Sequence, residues 1–98
     1  MSDDEFEFIS SQLRGKRDIH TIAHIYNWQC RHGSEEPPAV PLKVRKLANF
    51  RKLGLIEKRP GQEKRRVAEA EHILTERGIA FAKSINKRLN LALAVPAL

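Results

Sequence analysis

A strongly basic segment, residues 43–66, is the feature of this sequence that most constrains its fold. Ten of the 24 residues are Lys or Arg, and the acidic ones are Glu57 and Glu63. The formal charge of the whole chain is +6, so the remaining 74 residues together carry −2. Attraction to a phosphate backbone explains this concentration of charge, and a solvated cationic face is the alternative interpretation.

A helix is predicted near the start of this segment, from the spacing of its apolar residues and from Pro41, which lies just before it. Pro41 can occupy the first helical position, because its missing N–H would have no partner there. Leu47, Phe50 and Leu53 fall on one face of the helix, which we expect to contact the core, and Gly54 ends it.

Two short strands, Leu55–Lys58 and His72–Leu74, are predicted to pair as an antiparallel ribbon. Pro60 and Gly61 mark a turn after the first strand, and Gln62–Glu69 is predicted to be an exposed loop or hairpin.

Most of the remaining chain is predicted to be helical. Ser2 caps a helix over about residues 3–14, with acidic residues in its first turn. Asp18 is a good N-cap for a second helix that runs to about Arg31 and is closed by Gly33. The proline-containing segment that follows must be a loop.

Thr75 is predicted to cap a final helix over roughly residues 76–90. The chain should therefore have an α+β, mainly helical fold with one two-stranded ribbon. We expect a single domain over residues 1–98 that consists of an acidic N-terminal helix (1–17), a core (18–89) and an apolar C-terminal tail (90–98).

The composition favours a soluble globular protein of the cytoplasm. Hydrophobic residues make up 41% of the chain and charged residues 31%. Met1–Glu7 is acidic, unlike the basic start of a secretory signal, and no apolar run approaches the length that spans a membrane. Cys30 is the single cysteine, which excludes a disulfide framework within the chain.

Two sequence motifs resemble those of winged helix-turn-helix transcriptional regulators. Residues 47–56 (LANFRKLGLI) resemble the junction at which the recognition helix ends in a glycine and two aliphatic residues open the wing. Residues 72–78 (HILTERG) resemble the site at which the returning wing strand meets the last helix. The resemblance covers about residues 18–89 and implies a recognition helix, a two-stranded wing and a C-terminal helix.

One departure from the family pattern is the long, proline-rich connection Arg31–Val40. Either Asp18–Arg31 or a segment inside this connection serves as the helix that supports the recognition helix. MarR-like, PadR-like and ArsR-like proteins and phage or plasmid repressors all remain open as subfamilies.

The predicted recognition helix would place its polar face in the major groove of duplex DNA. Helical geometry directs Arg45, Asn49 and Lys52 outward, and Lys43 and Lys46 flank that face. Arg45 is the candidate for guanine because its planar fork can bond two acceptors, and Asn49 could pair with adenine similarly. The three lysines suit phosphate contacts.

The predicted wing adds five further basic residues. A basic hairpin suits the phosphate backbone or a narrow minor groove, although any of these residues could instead be solubilising. They are Lys58, Arg59, Lys64, Arg65 and Arg66.

The sequence predicts no metal site, no cofactor and no catalytic activity. His20 and His24 have a spacing that could place two metal ligands on one helix face, but Cys30 falls on the opposite, apolar face. His20, His24 and Trp28 form a stripe that could be a solvated face, a protein interface or a base-stacking surface.

The apolar residues near both ends of the chain predict a homodimer. The last helix and the tail together present more apolar surface than one small domain is expected to cover, and the first helix could pack across the same seam. The predicted interface residues are Phe6, Ile9, Leu13, Trp28, Phe81, Ile85, Leu89 and Leu93.

These observations together predict a sequence-specific duplex DNA-binding transcriptional regulator. The simplest mechanism is that of a small homodimeric repressor that occupies an operator. The alternatives are a winged-helix module that binds an acidic protein partner, and an RNA-binding or replication and partition accessory protein. No membrane association and no small-molecule ligand are expected.

Overall fold

The computed structural model of the chain describes residues 1–32 and 42–89, which form an α+β, mainly helical fold. The predicted fold class is confirmed at this level. In chain order the elements are α1 (Asp3–Gln12), α2 (Lys16–His32), α3 (Val44–Lys52), β1 (Ile56–Lys58), β2 (His72–Leu74) and α4 (Glu76–Leu89). The predictions for Gly33, the loop 34–40, Pro41 and the tail 90–98 concern positions outside the described residues.

Helix α1 begins as the sequence predicts. The Ser2 side chain accepts a hydrogen bond from the Glu5 N–H at 3.2 Å, and three acidic residues lie in the first turn, where the helix dipole favours negative charge. The helix ends at Gln12, slightly before the predicted end near residue 14.

Helix α2 begins at Lys16, so the prediction that Asp18 is its N-cap is wrong. Asp18 lies in the first turn of the helix and is only 2% exposed. Its carboxylate accepts a hydrogen bond at 2.8 Å from the backbone N–H of Arg14, which precedes the helix. A carboxylate in a first turn can satisfy an N–H on either side of the helix start, and the residue type alone does not distinguish these two roles.

Helix α3 begins at Val44, three residues after the predicted start at Pro41, with Lys43 as its N-cap. The predicted apolar face is confirmed, because Leu47 and Phe50 are buried and Leu53 packs partly buried against the core. The chain leaves the helix through Gly54.

The positive φ of Gly54, +74°, is a backbone conformation that side chains with a Cβ rarely adopt. The turn allows the Leu55 N–H to donate to the Phe50 carbonyl at 2.9 Å. The chain therefore passes directly from α3 into β1.

The two strands form the predicted antiparallel ribbon, although the first begins at Ile56 rather than Leu55. Ile56 lies opposite Leu74, and Lys58 lies opposite His72. The ribbon is short, and the 59–71 loop that joins its strands folds through successive turns rather than as an extended hairpin.

The two sequence motifs meet where the ribbon joins α4. Thr75 donates its N–H to the Leu55 carbonyl at 3.0 Å, and its hydroxyl accepts from the Gly78 N–H at 3.0 Å, which caps α4 as predicted. A Cβ on Gly78 would collide with the backbone carbonyl oxygen of Leu55. Glycine at this position therefore allows α4 to pack closely against the connection between α3 and β1.

The four helices and the ribbon enclose one core among the described residues. Phe50, Phe81, Ile9, Ile22, Ile25, Leu55 and Ile85 are its largest fully buried side chains. The rings of Phe6 and Phe81 lie 5.2 Å apart between centroids, which joins α1 directly to α4.

This core corrects the predicted dimer interface. Five of the proposed interface side chains are buried in the core of the single chain, so they cannot contact a second copy while this core is intact. They are Phe6, Ile9, Leu13, Phe81 and Ile85. Trp28 is partly buried on α2, while Leu93 and the side chain of Leu89 lie outside the described part of the chain.

Polar contacts at the surface also join α1 to its own α4. Arg77 pairs with Glu5 at 3.0 Å, and Arg88 pairs with Asp3. The Arg88 guanidinium also lies 5.0 Å from the centre of the Phe6 ring, at a distance typical of a cation–π contact. The acidic helix is thus paired with basic residues of α4. None of the described helices has the length and apolar character needed to cross a membrane.

Candidate nucleic-acid interface

A basic groove of about 1020 Å³ lies between α3 and the region in which α1 passes into α2. It is open to solvent and is lined by six basic side chains and one acidic side chain. The basic residues are Arg14, Arg17, Lys43, Arg45, Lys46 and Lys52. The acidic one, Asp18, is almost completely buried beneath the surface. An open groove of this charge suits a polyanion more than an enclosed small ligand.

Helix α3 supplies the basic residues of one side of the groove. Lys43, Arg45 and Lys52 are exposed, as predicted, and none of them forms an ion pair with another described residue. An exposed line of the helix runs through Val44, Ala48 and Lys52, at intervals of four residues, and Arg45 and Arg51 are exposed beside it. The outward face is therefore centred beside Arg45 rather than on Asn49.

The predicted role of Asn49 in reading bases is not supported by its position. Its side chain is partly buried, and the side-chain amide donates a hydrogen bond at 3.1 Å to the carbonyl of Gln12, at the end of α1. This carbonyl lies at a helix C-terminus, where backbone acceptors lack partners within the helix. Asn49 thus fixes α3 against α1.

Lys46 is partly neutralised within the groove. Its ammonium nitrogen lies 3.5 Å from the Asp18 carboxylate and donates to the Thr21 hydroxyl at 3.1 Å. The side chain retains about a third of its exposure, so it can still contact a ligand at the groove surface. Asp18 therefore serves both the Arg14 backbone and the Lys46 side chain, and it holds the two sides of the groove together.

Sequence reasoning missed Arg14 and Arg17, which line the opposite side of the groove. Both are exposed, and they precede α3 by about thirty residues in the chain. The sequence contained a weak signal, because residues 14–17 (RGKR) are a second, smaller basic cluster beside Gly15. Their proximity to α3 depends on the packing of α1 and α2, which charge counts do not show.

The 59–71 loop and the end of β1 engage two of the five predicted wing residues in structural contacts. Lys58 donates to the backbone carbonyls of Glu63 and Arg65, the latter at 2.5 Å. Arg59 pairs with Glu71 across the ribbon. These two contacts hold the loop on the ribbon, so a role for Lys58 and Arg59 in binding a ligand would compete with the structure of the loop.

Lys64, Arg65 and Arg66 are exposed at the surface of the loop, as predicted. The turn before them is fixed by Glu63, whose carboxylate accepts from the Gly61 N–H at 3.0 Å. The pKa of the Glu63 carboxyl is lowered chiefly by its own backbone N–H and then by that of Gly61. Ionised Glu63 therefore stabilises a turn that presents three cations together.

Arg51 and His72 connect α3 to β2 on the side of the helix nearer the loop. The Nδ1 atom of His72 lies 2.9 Å from the Ala70 carbonyl, which is consistent with an N–H donor at that nitrogen. Nε2 can then accept from the Arg51 guanidinium, 3.3 Å away. Burial lowers the pKa of His72, and the positive charges of Arg51 and Lys58 lower it further.

The stripe on α2 lies apart from the groove lining. His20 and His24 are exposed, whereas Trp28 is partly buried and so is less exposed than a solvated face would require. Burial and a hydrogen bond with Cys30 raise the pKa of Tyr26 on the same helix. Within residues 1–32 and 42–89, no three His, Cys, Asp or Glu side chains cluster as a metal site would require.

No protein-family model, curated protein or solved structure matches this chain with significant similarity.

Proposed function

We propose that this chain is a winged-helix regulator that binds duplex DNA, with α3 in the major groove and the 59–71 loop on the adjacent backbone. The observation that carries the proposal is the convergence of two basic clusters, residues 14–17 and 43–52, on the open groove beside the exposed face of α3. Two separate segments of the chain thus place cations on one surface. Basic residues that served only solubility would not need to converge in this way.

The exposure of each side chain indicates which residues would contact bases and which would contact phosphates. Arg45 is the candidate for base recognition, because it is exposed on α3 and its guanidinium can bond two acceptors of guanine. Arg14, Arg17, Lys43 and Lys52 would contact phosphates on either side of the helix. The three exposed cations of the loop would extend these contacts along the backbone.

Operator occupancy by a homodimer is part of the proposal. A two-fold dimer would present two copies of α3 to successive major grooves, about one helical turn apart. Because five of the predicted interface residues form the core, the dimer would use Trp28 and residues that the structure does not describe.

Charge reversal on the groove wall tests the proposal. The variant Arg14→Glu/Arg17→Glu should lower affinity for duplex DNA by at least about tenfold, because it replaces two phosphate contacts with repulsion. The matched control is Lys83→Glu/Lys87→Glu, which makes the same change in charge at two exposed positions of α4 outside the groove lining. Fluorescence anisotropy with labelled duplexes measures both.

The same titration should include double-stranded RNA and an acidic peptide as competitors. The proposal predicts that duplex DNA binds most tightly and that the groove variant loses far more affinity than the control. Equal losses in the two variants would show that net charge alone matters. Preference for the RNA or the peptide would replace the proposed ligand with that one.

A further inference from the structure

The exposed line of α3 begins with two apolar side chains in the middle of the basic surface. Val44 is 62% exposed and is one of three large hydrophobic side chains that are exposed among residues 1–32 and 42–89, together with Met1 and Phe8. Ala48 is also exposed, one turn further along, and lines the groove. Neither side chain belongs to the hydrophobic core.

We propose that Val44 and Ala48 recognise the C5-methyl group of pyrimidines, chiefly thymine, in the major groove. The inference rests on the proposed function and names the base feature that this helix face would read. The thymine methyl is the apolar group that base pairs present in the major groove, and small aliphatic side chains are its usual partners. Contact between the two removes apolar surface from water on both sides.

The charges around the two side chains favour DNA over a protein partner for this strip. Lys43 and Arg45 flank Val44, and Lys52 follows Ala48 on the same face. All three are exposed, so whatever covers the apolar strip must also accommodate a dense positive charge. The edge of a base pair with phosphates on both sides has this combination of properties.

The spacing of the two side chains predicts where the methyl groups should lie. Four residues of α-helix rise by about 6 Å. Successive base pairs are about 3.4 Å apart, so a helix lying along the groove would meet two methyl groups about two base pairs apart. Val44 is the first residue of α3, and the N-terminal part of a recognition helix is the part that contacts base edges in helix-turn-helix proteins.

Substitution of single thymines by deoxyuridine tests the inference, because uracil lacks only the C5-methyl group. A duplex selected in vitro for binding provides the starting sequence, and each thymine is replaced in turn. The wild-type protein should lose about fourfold in affinity at one or two positions, the amount expected for one buried methyl group.

Three protein variants assign the effect to residues. Val44→Ser and Ala48→Ser should each remove the difference between thymine and uracil at one position, while circular dichroism confirms that the helices remain. Phe8→Ser is the matched control, because Phe8 is also an exposed apolar residue, at 56%, but lies on α1 rather than on α3. It should retain the full wild-type sensitivity to uracil.

A further duplex distinguishes the two natural sources of the methyl group. At a sensitive position, a C·G pair is compared with the same pair that carries 5-methylcytosine. If the methyl group itself is recognised, 5-methylcytosine should bind more tightly than cytosine by a similar factor. If thymine is the source and its other groups are also read, the gain should be absent at that position while the loss with uracil persists.

The remaining outcomes distinguish a failure of the inference from a failure of the proposed function. Duplex binding that is equally strong with thymine and uracil at every position would overturn the inference and leave the proposed function standing. A loss with uracil that persists in both Val44→Ser and Ala48→Ser would assign it to DNA shape and overturn the role of these residues. A folded protein that binds no duplex, or that prefers an acidic protein through this strip, would overturn both proposals.

Discussion

Asp18 connects the two sides of the proposed interface. Its carboxylate accepts from the Arg14 N–H and pairs with Lys46, so it positions both sides of the groove while it reduces the groove's positive charge. A buried acid in a surface that binds an anion lowers the affinity of that surface. Asp18 therefore stabilises the fold at the expense of charge in the groove.

Asp18→Asn should tighten binding to duplex DNA and steepen its salt dependence by about one unit of slope, because Lys46 becomes available to a phosphate. The amide oxygen can still accept from Arg14, so the loss of stability should be smaller than for Asp18→Ala, which we expect to cost about 1–3 kcal/mol. Asp4→Asn is the control for net charge, since Asp4 is exposed on α1. An equal gain in affinity for duplex DNA in both variants would show that Asp18 affects binding only through net charge.

His72 should make the stability of the protein depend on pH. Because its pKa is lowered in the folded state, chiefly by burial, the folded state favours the neutral ring. The stabilisation is complete above the ordinary histidine pKa of about 6.5 and is lost as pH falls through the lower, folded value. Protonation would also place a positive charge beside Arg51.

Denaturant titrations of wild type and His72→Gln test this at several values between about pH 7.5 and 5.5. The wild type should lose more of its free energy of unfolding across this range than the variant does. The other histidines are present in both proteins, so the difference between the two profiles isolates His72. Parallel pH profiles would contradict the role assigned to His72.

At the scale of the elements, the junction of α3, β1 and α4 depends on Gly78. A Cβ at this position would meet the Leu55 carbonyl, and that backbone group cannot move without disturbing the Thr75 contact. Gly78→Ala should lower the free energy of unfolding by about 1–3 kcal/mol, despite the better helix propensity of alanine. The control Lys83→Ala, at an exposed position of α4, should change it by less than about 0.5 kcal/mol. An unchanged free energy of unfolding in Gly78→Ala would show that α4 can shift to accommodate the added Cβ without loss of stability.

Helix α3 and the 59–71 loop should contribute differently to recognition. Arg45→Ala should cost about 1–3 kcal/mol on the preferred duplex and relax base choice at one position. Arg65→Ala and Arg66→Ala should weaken binding to all sequences alike, because contacts to phosphate do not depend on the base. Altered base preference in the loop variants, with none in Arg45→Ala, would assign recognition to the loop.

The elements were largely predictable from the sequence, and their mutual packing was not. Apolar spacing identified the buried faces of α1 and α3, and the residues around Gly54, Gly61 and Thr75 marked turns and a cap that the structure contains. Periodicity shows which face of a helix is buried but not what covers it. For this reason Phe6 and Ile9 were assigned to a second copy, although they contact the chain's own α4.

At the candidate site, too, the exposed positions were predictable from the sequence and the long-range contacts were not. Charge density and helical geometry predicted the exposed positions of Arg45 and Lys52 on α3. The contacts of Asn49 with Gln12 and of Lys46 with Asp18 join residues that are far apart in the chain, and local patterns do not reveal such pairs. Arg14 and Arg17 were missed because they belong to the groove only through tertiary packing.

At the scale of the whole molecule, the ion pairs between α1 and α4 involve none of the residues that line the groove. Acidic residues of α1 pair with Arg77 and Arg88 of α4, while Arg14, Arg17 and the cations of α3 lie together at the groove. The pairing neutralises two basic residues that lie outside the groove, Arg77 and Arg88. A polyanion that approaches the protein would therefore be attracted to the surface that carries α3.

Removal of residues 90–98 tests the proposed homodimer. The apolar composition of this segment favours an interface, so its deletion should lower the molecular mass measured in solution. Binding to a two-half-site duplex should weaken far more than non-specific binding, because the two halves would no longer be coupled. A truncated protein that remains dimeric, or a full-length protein that is monomeric at micromolar concentration, would contradict the proposed interface.

The dependence of duplex affinity on salt tests the central claim most directly. Five groove cations and three loop cations are exposed without an ion pair among the described residues, namely Arg14, Arg17, Lys43, Arg45, Lys52, Lys64, Arg65 and Arg66. If six to eight basic residues contact phosphates, a plot of log K against log salt concentration should have a slope of about −5 to −7. A slope near zero between low and physiological salt would show that these cations do not bind a phosphate backbone, and it would contradict the proposed function.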